Sequence, residues 1–241
     1  MERVYRDRMT GSAIPVTRSR EDRLLDAAAD LLVRWGYQRV TIDEVARRAG
    51  VGKGTVYLHF RTKDALFLAV LMRSHRTVTA GMADRMEADP AEALPARAVR
   101  SIYRELLDDP VTRPLYLGDP EVLGRLAHEA AAALGDLTAK RTEVGRRWFS
   151  LLREAGRMPT DLPIDAQMHL FSAVTTGFFF LDGMPTAPGP TDPDARADLL
   201  EHALRSALEI PGAPLTRECA AECAALFRSL LDDIPTLSGT R

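Results

Sequence analysis

The stretch TIDEVARRAGVGKGTVYLHFRTK, residues 41–63, decides how the rest of this 241-residue chain is read. Thr41 followed three residues later by Glu44 is a capping box, in which two residues exchange hydrogen bonds across a helix start. Ile42, Val45, Ala46 and Ala49 recur at i, i+3, i+4 and i+7, the apolar stripe of a helix of barely two turns that Gly50 ends. Val51 and Gly52 bridge to a second short helix over about residues 53–60. Thr62 is an N-cap for a third, with Asp64 in its first turn. Two short helices about a tight glycine turn are the helix-turn-helix unit, which serves as a packing element or as a reader of a DNA groove.

Outward from that unit, the preceding helix runs from about Ser19 to Trp35. Leu24, Leu25, Ala28, Leu31, Leu32 and Trp35 form its apolar stripe, and Gly36 stops it. Residues 1–17 show no periodicity and read as a flexible basic arm carrying Arg3, Arg6 and Arg8, residues of a kind that reach into minor grooves. After Thr62, Leu66, Val70, Ser74, Val78, Met82 and Met86 follow at i+4 intervals. A helix of some 25 residues spans roughly 37 Å, long enough to be a strut between two units. Beyond Pro90 the chain predicts helices near residues 95–107, 120–134, 136–156, 164–182, 193–209 and 215–232, with a loop at 185–190 and a short turn between 110 and 117. No run alternates with period two. The fold class is all-α, divided into the arm (1–17), a DNA-binding unit (18–80) and an all-α regulatory and dimerisation unit (81–241).

Charge agrees with two units of different partners. Residues 1–64 hold 13 Lys+Arg against 9 Asp+Glu, and the remainder 19 against 25, summing to the net −2. No run approaches the roughly 18 apolar residues of a membrane helix, and the charged start is no secretory signal, so the sequence predicts a cytoplasmic protein without a membrane partner. Cys219 and Cys223 stand one helical turn apart, too wide for an unstrained disulfide, and read as small core residues. His128, Glu129 and His169 show no ligand spacing, no catalytic constellation stands out, and neither a cofactor nor a metal is expected.

Within the second short helix, a wheel at 100° per residue puts Val56 and Phe60 on the packing edge. Gly54, Thr55 and Leu58 point away, with Lys53, Tyr57 and His59 on the flanks. That distribution suits a groove reader. Gly54 lets the backbone approach, Thr55 and Leu58 can meet base edges or a thymine methyl, and Lys53, Tyr57 and His59 can meet phosphates. Thr41 and Lys63 sit at helix N-termini, which favour an anion. The competing reading is a phosphate loop at Gly50-Val-Gly-Lys-Gly-Thr55 in a nucleotide-binding enzyme. Arg47 stands where that loop needs a glycine, and the preceding residues have helical rather than strand spacing.

Residues from about Arg20 to Leu71, a fifth of the chain, resemble the DNA-binding domain of the TetR (tetracycline-repressor) family of bacterial transcriptional regulators. The resemblance is carried by Leu24-Leu-Asp-Ala-Ala28, Gly36-Tyr37, Thr41-Ile-Asp-Glu-Val-Ala46, Ala49-Gly-Val51, Gly54-Thr-Val-Tyr-Leu-His-Phe60 and Lys63-Asp-Ala-Leu66. Gly52 departs from it, since the family has a small polar residue there. The resemblance implies a homodimeric regulator, a repressor released from a palindromic double-stranded operator by a small-molecule effector, with an activator as the alternative within the class. It also implies that the helices at 164–182 and 193–209 pair with their copies through Phe171, Val174, Phe178, Leu200 and Leu204. Met82, Tyr103, Tyr116, Trp148 and Phe149 are the candidate lining of an effector pocket.

Overall fold

The computed structural model describes residues 19–111, 135–184, 189–212 and 214–234, and every regular element among them is helical. The basic arm, the helix predicted at 120–134, Tyr116, His128 and Glu129 lie outside the described residues. The elements are α1 (Arg20–Arg39), α2 (Ile42–Ala49), α3 (Lys53–His59), α4 (Lys63–Ala88), a 3-10 turn (Pro90–Ala93), α5 (Pro95–Asp108), α6 (Gly135–Glu154), α7 (Ile164–Asp182), α8 (Pro193–Leu208) and α9 (Arg217–Leu231). Among the described residues, no helix is long and apolar enough to cross a membrane.

Local chemistry sets most boundaries. Ser19 and Asp22 close a capping box on α1, and Thr62, Asp192 and Thr216 cap α4, α8 and α9 with their side chains. Proline opens α5 and α8, where a missing N–H costs nothing. Gly156, at φ +69°, reverses the chain after α6, and Arg157 N–H donates to Leu152 O at 2.8 Å. The 3-10 turn, which no sequence signal announced, is fixed by Asp89 accepting from the Ala91 N–H at 3.0 Å.

The first helix departs from its predicted end. Gly36 interrupts it at φ 74°, ψ 161°, and the chain resumes helical geometry to Arg39. The break carries Tyr37 into the core and leaves Trp35 exposed, although Trp35 belongs to the apolar stripe by spacing.

Buried side chains form two clusters threaded by α4. The first gathers α1, α2, α3 and the start of α4 around Leu24, Leu32, Val45, Val56, Phe60 and Leu66, with Leu137 and Ile234 joining from later in the chain. The second gathers the end of α4 with α5, α6, α8 and α9 around Met86, Tyr103, Phe149, Leu152, Leu200 and Cys223. Between them, residues 73–81 of α4 include no fully buried side chain. Polar contacts hold this waist. Arg73 pairs with Asp26 of α1 at 2.8 Å, and Arg76 donates to the carbonyls of Leu231 and Ile234, the latter at 2.9 Å, closing the C-terminal end of α9.

Helix α8 buries Ala197, Leu200, Leu204 and Leu208 completely, as one stripe packed on α5. This corrects the sequence reading of Leu200 and Leu204 as contacts to a second copy, since both are 0% exposed within the chain itself. Phe171, Val174 and Phe178 of α7 are half-buried against the second cluster. The apolar side chains that this end of the molecule does present outward are Phe180, Leu181, Met184 and Leu199, with Phe180 65% exposed.

Candidate nucleic-acid interface

The helix-turn-helix is built by two glycine-dependent steps. Gly50 adopts the left-handed conformation (φ 69°, ψ 37°), which a side chain disfavours, and its N–H reaches back to the carbonyls of Ala46 and Arg47. Val51 N–H donates to Ala46 O at 3.0 Å, and Val51 tucks its side chain against the first cluster. Gly52 then caps α3 without any side-chain hydrogen bond. Because this glycine-bearing stretch follows a helix and not a strand, the phosphate-loop geometry is absent from it.

Two side chains lock α3 in place. Val56 is fully buried and Phe60 nearly so, and they set the rotation of the whole seven-residue helix. Opposite them Leu58 is 79% exposed and Tyr57 46% exposed. An apolar side chain that bare, on a helix otherwise pinned to a core, does nothing for the fold. Gly54 is exposed as well, its backbone is helical, and a Cβ built on it would meet no atom of the chain within 4 Å. The chain's own packing therefore does not require a glycine there. Thr55 is half-buried rather than fully outward, shaded at the start of the helix, and His59 is half-buried with its ring 6.2 Å from that of Phe60.

The cations flank this surface in different states. Lys53 is exposed and its Nζ lies 2.8 Å from Asp43 Oδ2, a bond that raises the lysine pKa. Exposed pairs of this kind contribute little, so the ammonium can exchange its partner for a phosphate at small cost. Lys63 sits 4.2 Å above the Tyr37 ring, with Nζ 3.4 Å from Gln38 O, and the Tyr37 hydroxyl donates to Asp64. Tyr37 also packs edge-on against Phe67 at 5.0 Å. These contacts fasten the end of α1 to the start of α4. Thr41 is exposed but committed: its hydroxyl donates to Glu44 Oε2 at 2.9 Å, and its N–H donates to the same oxygen at 2.9 Å. Exposed Arg61, between α3 and α4, was passed over in the sequence reading although its place beside the predicted N-cap signalled it.

The predicted effector-pocket residues fall elsewhere, and those described are packed. Met82, Tyr103, Trp148 and Phe149 are all buried in the second cluster. Trp148 lies edge-on to Phe149, Phe171 and Phe227 at 5.3, 5.9 and 5.2 Å, and its Nε1 donates to Ala93 O at 2.9 Å. The Tyr103 hydroxyl donates to Asp182, which Arg196 Nε approaches at 2.8 Å, and burial raises the tyrosine pKa. A surface pocket lies beside Trp35 and Arg47 and another beside Cys219, and neither is lined by these four residues. Among the described residues no cluster of three potential metal ligands forms.

Comparison with known proteins bears on what this surface is for. Residues 24–70 match the family model described as bacterial regulatory proteins, tetR family. An uncharacterized HTH-type transcriptional regulator of Mycobacterium bovis, Mb2274c, is 30% identical over 154 residues, covering 63% of this chain and 80% of that protein. The HTH-type transcriptional activator FasR of Mycolicibacterium smegmatis is 43% identical over 63 residues. That match covers 26% of this chain and 29% of FasR, so the chain spans under a third of that relative's length. In fold, the chain is similar to SmeT, the repressor of the Stenotrophomonas maltophilia multidrug efflux pump SmeDEF. The TM-score is 0.55 at 22% identity, over 83% of this chain and 96% of that one.

Proposed function

Since this chain belongs to the tetR family of bacterial regulatory proteins, we propose that it is a homodimeric, sequence-specific DNA-binding repressor that leaves its operator when a small-molecule effector binds among its later helices. One observation carries the reading: α3 turns a bare leucine and a glycine with nothing near it toward solvent, while Val56 and Phe60 hold the helix rigidly in that attitude. Gly54 admits the groove wall, Leu58 and Thr55 address base edges, and Tyr57, Lys53, His59 and Lys63 bracket the phosphates. Thr41 adds its place at the start of α2, with its own hydrogen bonds already made to Glu44. The DNA-binding unit is residues 18–80 and the regulatory unit 81–241, inside a cytoplasmic protein.

A seven-residue reading helix covers few base pairs, so a second copy doubles the site. The surface assigned to it carries Phe180 and Leu181 of α7, Met184 just beyond and Leu199 of α8, large apolar side chains that the chain leaves exposed. Two α3 helices one DNA turn apart, about 34–36 Å, suit a palindromic operator. Release follows when an effector binds the non-DNA arrangement more tightly than the DNA-bound one. Arg76 supports α4 as the moving part, because it ties the strut to the end of α9, on the regulatory side.

The test is a gel shift on DNA flanking the gene, with salt varied, followed by a reporter assay in a deletion strain. Specific binding weakens steeply as salt rises, because counterions compete for the phosphates. Failure to prefer any fragment over random DNA at every salt concentration overturns the regulator reading. A reporter that loses expression in the deletion strain replaces repression with activation.

A further inference from the structure

Helix α9 carries the chain's two cysteines one turn apart, both as free thiols. Cys223 is fully buried in the second cluster, whereas Cys219 is half-buried and lies at the wall of a small surface pocket. Leu151 and Glu154 of α6 and the following Ala155 line that pocket, together with Thr216, Glu218, Cys219 and Glu222. One thiol of the pair is thus enclosed, while its neighbour one turn back opens onto space.

Three chemistries compete for such a pair. A disulfide needs Cβ atoms about 3.5–4.5 Å apart, whereas positions i and i+4 on a helix hold them at about 5–6 Å, so oxidation would require α9 to unwind. A zinc-type ion needs about four ligands, and no ligating group of three forms among the described residues. A trivalent arsenic centre needs only two sulfurs and one further substituent, and it lengthens the bridge by one atom relative to a disulfide. Burial pushes the Cys223 thiol up to about 12 and raises that of Cys219 as well, so both persist as S–H near neutrality and resist thiolate oxidation.

We propose that Cys219 and Cys223 form a dithiol site for trivalent arsenicals, with the third substituent on arsenic seated in the pocket between α6 and α9. For an arsenoxide R–As=O the step balances without an oxidant. Two As–S bonds form, the As=O bond and both S–H bonds break, the two protons leave on the oxygen as water, and arsenic stays trivalent. The second As–S bond is intramolecular, so the thiol delivering it acts at a high effective concentration and the chelate outlasts any single thiol adduct. Leu151 and Ala155 give an aryl or alkyl substituent an apolar wall in a pocket otherwise rimmed by Glu154, Glu218 and Glu222. The site does not depend on the regulator reading.

The probe is phenylarsine oxide. The full-length protein is incubated natively with one equivalent, freed of excess reagent, and unfolded in denaturant for thiol counting and intact mass. The wild type is expected to retain one phenylarsenic group and show no reactive thiol. Excess dithiol should restore both thiols, whereas excess monothiol should not. Cys219→Ser, at the half-exposed position, is expected to fold as wild type, to lose the adduct to monothiol and to keep its remaining thiol titratable. Two thiols still reactive in the treated wild type overturn the proposal. Retention of a monothiol-resistant adduct by Cys219→Ser overturns it equally.

Discussion

Replacing Gly54 by alanine separates the requirements of the fold from those of the interface. The position is exposed and helical, and the added methyl meets nothing within 4 Å in the chain. Glycine inside a helix costs about 0.5–1 kcal/mol relative to alanine. Gly54→Ala should therefore leave stability unchanged or raise it by up to about 1 kcal/mol, a rise in Tm of roughly 2–4 °C for a chain of this size. At the operator the same methyl occupies the place where the backbone meets the groove wall, and α3 has to retreat. Val56 and Phe60 pin its rotation, so the retreat draws Leu58 and Tyr57 away together. Loss of one good base contact is worth about 1–3 kcal/mol, so affinity should fall by about fivefold to more than a hundredfold. Differential scanning calorimetry and fluorescence anisotropy on the selected operator fragment give the two numbers. Unchanged operator affinity would show that Gly54 does not face DNA. A drop in Tm would show that the methyl meets the chain and that the rotation assigned to α3 is wrong.

Four further substitutions probe the rest of the scheme. Tyr57→Ala removes a half-exposed ring, so it should abolish measurable operator binding in a gel shift while costing stability under about 1 kcal/mol; a loss of several kcal/mol would place the ring in the core. Phe180→Glu puts a charge on the bare face of α7, so sedimentation velocity should report a monomer, whereas Leu204→Ala should cost about 2–5 kcal/mol through the cavity it leaves; an unperturbed dimer in Phe180→Glu refutes the assigned face. Burial, then the neighbouring Arg141, hold the His75 pKa at about 4, below the ordinary 6.5. The unfolded chain therefore takes up a proton before the folded one does, and stability that is full above pH 6.5 is lost as pH falls toward 4. Urea denaturation should show about 2 kcal/mol less stability from this group at pH 5 than at pH 7.5, and His75→Gln should lose most of that difference.

Local chemistry made the reading unit legible. Thr41 with Glu44, the glycine at 50 and the valine–phenylalanine edge of α3 each act within a few residues, so spacing alone locates them. Leu200 and Leu204 show where that logic ends. Spacing identifies their stripe on α8 correctly, but whether α5 of the same chain or a helix of a second copy covers it is a tertiary fact. Helix α7 is harder still. It is apolar on nearly every side, so no wheel singles out the face that leaves Phe180 bare. Trp35 obeys the period of α1 and still misses the core, because the chain turns at Gly36 and Tyr37 takes up the burial.

One contact that joins the two halves was beyond reach of any spacing argument, since Arg76 and Ile234 stand 158 residues apart. Its consequence is mechanical. An apolar interlock along the whole of α4 would resist sliding, because each displaced side chain opens a void. At the waist, residues 73–81, the side chains are at most partly buried. It is held by Arg73 on Asp26 and by Arg76 on the last carbonyls of α9, contacts that can re-form one partner over as the helix shifts. Both ends of α4 are gripped by cores, and its middle is tied to α9 by Arg76 and to α1 by Arg73. Helix α1 packs on α2, and α2 on α3, which makes the attitude of Leu58 the last step in that chain of contacts.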